Sequence, residues 1–177
     1  MELLIYMAVK FFYICFFLIL AVPCELFLQS FTLSFPFAAF FIFYTATAFG
    51  WKYALFAAFA ASCGLDLATG EAHFYSLAGL FITILLSRFW LYKVESDSIF
   101  LHIIPGGLIP VIMRGSSFIF HGGTSLHEFL YNLAGLLGSI VCGMIYLPLV
   151  ILLLDTLNES MGLALYSNAK LELEKDE

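Results

Sequence analysis

Charge is the scarcest property of this 177-residue chain: Asp, Glu, Lys and Arg make up 11% of it, against about 25% in soluble domains. Its seven Lys and Arg are scattered. That excludes the basic patch a nucleic-acid binder needs. The four cysteines, Cys15, Cys24, Cys63 and Cys142, contain no C-x-x-C pair, and they read as small apolar fillers rather than metal or redox ligands. Pro23 stands before Cys24 where a cleavage signal wants a small residue, so the first segment reads as a retained anchor. Catalytic signatures are missing too. His127-Glu128 runs on into FLYN and so makes no H-E-x-x-H, and there is neither a G-x-S-x-G elbow nor a glycine-rich phosphate loop. The expectation is a non-enzymatic protein without metal or cofactor.

What is abundant is apolar surface. Hydrophobic residues make up 63% of the chain, and its mean hydropathy is +1.02. A membrane-crossing helix needs about 20 apolar residues. Roughly six such runs are present, near 3–22, 33–49, 52–68, 74–92, 98–120 and 127–154. Pro23 and Glu25 are expected to stop the first, and Pro105-Gly106-Gly107 and Pro110 to kink the fifth. The connections are short, which makes neighbours antiparallel. The predicted fold is an all-α polytopic membrane protein, about six transmembrane helices in one compact bundle. Residues 1–154 would form that bundle and 155–177 a short acidic tail. Lys52, Arg88, Lys93, Lys170 and Lys175 fall on one side, while the loops near 23–32, 69–73 and 121–126 carry no Lys or Arg. The positive side is cytoplasmic. Both termini are therefore expected in the cytoplasm.

Two charges break the apolar pattern. Asp66 lies fourteen residues after Lys52, about 21 Å along a helix, and Arg114 reaches a similar depth of about 23 Å in the fifth span. A charge at membrane depth is costly and marks a functional or structural partner. The expectation is an Asp66–Arg114 pair across an internal interface. Gly70 would end the third span in a left-handed conformation. Around the outer loops lie Gly70, Glu71, His73, His121, His127 and Glu128, too loosely spaced for a zinc set and read as candidate contact loops.

Small residues mark where helices approach closely. Ala61 and Gly64 belong to a small-residue stretch on the third span. Gly135, Gly138 and Gly143 do so on the sixth, where Gly135-x-x-x-Ser139-x-x-x-Gly143 would give one smooth face.

These residues resemble the MreD family of bacterial rod shape-determining membrane proteins. The likeness rests on Pro36 opening the second span, Tyr44 within it, and FAASCGLDLATG over 59–70, whose Leu65-Asp66-Leu67 and Gly70 match the family's L-D-x-x-x-G element. Ala78-Gly79 fits the following helix and Leu147-Pro148 the last one. The specific match covers residues 36–80. Two small positions, Ala58 and Ser62, stand where the family often has Gly, and the tail is acidic where family tails are often basic. The resemblance implies a non-enzymatic scaffold of the cell-elongation, peptidoglycan-synthesising machinery. Its partners would be an MreC-like single-span protein, a RodA-type glycosyltransferase with its transpeptidase, and the actin-like MreB. It also implies a fold similar to the substrate-binding subunits of energy-coupling-factor transporters. The competing expectation is a small-molecule-binding transporter subunit, with a pocket built from Asp66, Glu71, His73, Arg114 and His121.

Overall fold

The computed structural model describes residues 2–30, 35–70, 75–93, 99–121, 126–163 and 165–166. Six α-helices account for nearly all of them: α1 (Glu2–Ser30), α2 (Phe37–Ala48), α3 (Trp51–Thr69), α4 (Tyr75–Lys93), α5 (Ile103–His121) and α6 (Leu126–Ser160). A 3-10 turn, Ile99–His102, leads into α5, and no strand occurs among the described residues.

Helix α2 is the axis of the assembly. Pro36 caps its start, and every residue from Ala38 to Ala48 is buried. It contacts all five other helices. Around it α1, α3, α4, α5 and α6 follow one another, each touching the next, but α1 and α6 make no contact with each other among the described residues. The surrounding wall is therefore open on one side.

A helix buried on all faces needs no polar stripe, and FAAFFIFYTATA has none. Its two threonines satisfy themselves locally. The Thr45 hydroxyl donates to the Phe41 carbonyl at 2.9 Å and Thr47 to Tyr44 at 2.7 Å. Gly50, at φ +91°, makes the tight reversal into α3 that a side chain would resist.

Helix α3 buries Ala54, Ala57, Ala58, Ala61, Ser62, Leu65 and Asp66, a stripe at steps of three and four that brings a smooth face against α2. Helix α6 does the same with Ser139, Gly143, Leu147, Ile151, Leu154 and Asn158. Its opposite face, Leu137, Val141, Ile145, Leu149 and Leu152, is exposed. Large apolar side chains also stand outward on α1, where Phe12 is 79% exposed, and on α4. Soluble monomers rarely carry apolar patches above a few hundred Å².

Among the described residues two helices are long and apolar enough to cross a membrane, over Tyr6–Gln29 and Leu133–Ser160. Shorter apolar helices cover Phe37–Ala48, Ser76–Tyr92 and Ile103–Gly115.

Two expectations about where helices end are corrected here. Pro23 and Glu25 do not stop the first helix, which runs on to Ser30. Across residues 105–110 the fifth helix is continuous: Pro105 falls in the first turn of α5, where a missing N–H is tolerated, and Pro110 lies inside the helix. The sixth helix does not end at 154. It reaches Ser160, turns at Gly162 (φ +65°), and the chain folds back to bury Leu163 and Tyr166.

Candidate functional site

Asp66 and Arg114 are not brought together. Helices α3 and α5 make no contact among the described residues, because α2 and α4 lie between them. Equal depth fixes a height along the bundle but not an angular position around it. Asp66 is 4% exposed, and neither carboxylate oxygen has a hydrogen-bond partner among the described residues. Arg114 lies instead over α6: a Cβ added at Gly135 would meet its Nη1 at 2.9 Å. Gly135 thus makes room for a guanidinium.

The other small residues divide. Ala61 is fully buried. Gly64 packs on α1, where an added Cβ would come within 3.2 Å of Val22 Cγ1. Gly143 and Gly106 meet backbone to backbone across the α5–α6 seam, and a Cβ at Gly143 would also strike Phe40 at 3.0 Å and Pro110 at 3.1 Å. Gly106 therefore serves close helix approach. Gly138 does not pack: it is exposed, with nothing within 4 Å of an added Cβ. It lies one residue before Ser139 and five before Gly143, turned well away from the face those two bury. Gly70 ends α3 as expected, at φ +72°, its N–H donating to the Asp66 carbonyl. Glu71 and His73 lie outside the described residues, as do the side chains of His121, His127 and Glu128. No group of three or more His, Cys, Asp or Glu that could hold a metal occurs among the described residues.

Two polar links between helices were not anticipated. Glu25 of α1 is buried, and its Oε2 accepts the Ala38 N–H at 3.0 Å. It thereby satisfies one of the orphan donors in the first turn of α2, at the positive end of that helix.

The second link lies at the other end of α2, around Asp155. The Tyr44 hydroxyl donates to Asp155 Oδ1 at 2.7 Å and accepts the Asn158 Nδ2–H at 2.8 Å. The same Oδ1 accepts the Tyr166 backbone N–H at 2.8 Å. Tyr166 stacks on Tyr44, with ring centroids 6.4 Å apart, and meets His102 edge-on at 4.7 Å. Burial, with Asp155 beside it, raises the Tyr166 phenol pKa, so the ring keeps its proton. The apolar run alone places Asp155 and Asn158 in the tail, because a charge ends it. Extending the α6 stripe by one more turn, from Leu147 and Ile151 to Leu154 and Asn158, would have placed them inside.

The opening in the wall forms a cleft of about 230 Å³. Phe17, Leu20, Ala21 and Cys24 of α1 line one side, and Tyr146, Val150, Leu153 and Leu154 of α6 the other. Phe37 and Phe41 of α2 form its floor. Phe17 stacks on Phe41 at 5.4 Å, and Phe37 meets Tyr146 edge-on at 5.1 Å, so aromatic contacts hold both margins to the floor. Leu20 and Leu153 are half exposed, which leaves the cleft open to the side.

No protein-family model, curated protein or solved structure matches the chain significantly.

Proposed function

We propose that this chain is a non-enzymatic membrane scaffold of the bacterial cell-elongation machinery, receiving the transmembrane helix of an MreC-like single-span partner. In this reading it lies in the inner membrane with both termini cytoplasmic. A RodA-type glycosyltransferase with its transpeptidase, and actin-like MreB, are its wider partners. The observation that carries the proposal is the α1–α6 cleft: five helices surround α2 and leave one apolar side open. In lipid, helices associate by close packing and small residues rather than by a hydrophobic drive, and Ala21 and Cys24 supply small positions on one margin. The exposed apolar flanks of α1, α4 and α6 support a lipid surrounding. The resemblance over residues 36–80 adds its share: Pro36 opens the central helix, and the Leu65-Asp66-Leu67 element closes the small-faced α3.

The transporter reading draws less support. Asp66 and Arg114, two of the five residues its pocket requires, sit on helices that do not touch among the described residues.

The test is native mass spectrometry of protein gently extracted from its host membranes, repeated with Ala21→Trp. A stoichiometric single-span partner, lost in Ala21→Trp and retained in Leu85→Trp on the outer face of α4, is the expected result. A retained small molecule without a protein partner would overturn the proposal, as would a partner indifferent to Ala21→Trp.

A further inference from the structure

The corner between the starts of α1 and α3 carries charge that the scaffold proposal does not use. The two helices run parallel: Phe11 meets Phe56 with ring centroids 5.1 Å apart, and further along an added Cβ at Gly64 would reach Val22. Lys10 and Lys52 therefore stand at the same end. The Lys10 ammonium lies 4.3 Å from the centre of the Tyr6 ring, 5.4 Å from that of Phe49 and 5.9 Å from that of Tyr53. A lysine near the end of a span ordinarily extends its stem toward water. Lys10 is instead folded against three rings, which restricts its rotamers before anything binds.

Aromatic rings attract a cation but carry no net charge, so they do not neutralise it. Among the described residues neither Lys10 nor Lys52 has a carboxylate partner. The first turn of α3 holds no acidic residue and no side-chain cap, so Lys52 adds its charge to a positive helix end. Exposed aromatic surface adjoins this positive corner. Phe56 follows Lys52 by one turn on the same face of α3, and Phe11 and Phe12 stand outward on α1. Tyr6 and Trp51, both exposed near the helix starts, are of the residue types that gather at headgroup depth in a membrane.

We propose that this corner binds an anionic phospholipid, with the headgroup phosphate at Lys10, Lys52 adding to its field, and an acyl chain laid along Phe11 and Phe56. A soluble anion would use the charge and leave the adjoining rings bare. A neutral lipid would cover the rings and leave the charge unmatched. The site needs a membrane surrounding but no protein partner, so it stands apart from the scaffold reading.

The test titrates the delipidated full chain in detergent with phosphatidylglycerol or phosphatidylcholine of the same acyl chains, read by native mass spectrometry. The first phosphatidylglycerol should bind at least about fivefold more tightly, the preference expected of one basic side chain at a lipid surface. Excess inorganic phosphate should not displace it. Neither of these measurements depends on a variant folding, and neither involves a partner, so failure of the scaffold proposal would leave them intact. Lys10→Gln should remove most of the preference, and Lys10→Arg should keep it. Tyr53→Leu, which loosens the ring support and leaves the charge, should lower it in part. Arg88→Gln removes an exposed cation of α4, a helix without contact to α1 among the described residues, and should leave it unchanged. Equal binding of the two lipids, displacement by inorganic phosphate, or equal losses in Lys10→Gln and Arg88→Gln would overturn the proposal.

Discussion

The Tyr44 hydroxyl lies 2.7 Å from Asp155 Oδ1, joining the most buried helix to the last one across 111 residues of sequence. A hydrogen bond to a charged or buried acceptor is worth about 1.5–3 kcal/mol net, and an orphaned buried donor costs a similar amount. Asp155→Ala orphans both the Tyr44 hydroxyl and the Tyr166 N–H. It should lower stability in detergent by about 2–4 kcal/mol. Tyr44→Phe removes only one partner and should cost less. A double-mutant cycle read by thermal unfolding should show a coupling of at least about 0.5 kcal/mol. Simple additivity would mean that the two groups do not act together.

Glu25 tests the cap on α2. Glu25→Gln keeps an oxygen acceptor for the Ala38 N–H, whereas Glu25→Leu has none. Loss of a helix cap costs about 0.5–2 kcal/mol. Gln should therefore stay near the parent in thermal stability, while Leu falls by that margin. Equal stability of the two variants would show that the contact contributes nothing.

Asp66 leads to the opposite outcome from the one its position in the sequence suggests. Asp66 is 4% exposed, and among the described residues no hydrogen bond offsets the burial of its carboxyl group. Asp66→Asn should leave stability unchanged or raise it by about 1 kcal/mol. Measured through unfolding in matched detergent, a loss above that size would reveal a partner for the carboxylate.

Glycines five residues apart on α6 should respond differently. Gly143→Ala drives a methyl into the Gly106 backbone, Phe40 and Pro110, and overpacking of that kind costs about 1–3 kcal/mol. Gly138→Ala meets nothing within 4 Å. It should gain up to about 1 kcal/mol from helix propensity. Opposite shifts in melting temperature are the expected pattern, and matching shifts would refute the seam described for α5 and α6.

Hydropathy and residue size, both local properties, were enough to read much of this protein. The apolar runs foretold six helices, Pro36 the start of the central one, and Gly70 the end of α3. Steps of four along Gly135, Ser139 and Gly143 foretold the inward face of α6. These succeed because helix formation and the preference of small side chains for close approach act over one or two turns of chain. The position of each helix around the bundle is a different kind of quantity. It depends on which faces pack, and that is settled among all six helices at once. Hence Asp66 and Arg114, matched in depth, stand on helices that do not meet among the described residues. Asp155, whose charge ends the apolar run, is half-buried against the bundle, where the Tyr44 hydroxyl and the Tyr166 N–H donate to it. Glu25, seen as a stop, is carried inward because the first turn of α2 needs an acceptor. The open side between α1 and α6 has no signature in either helix alone, since it arises from a contact that the packing of the other helices leaves unmade.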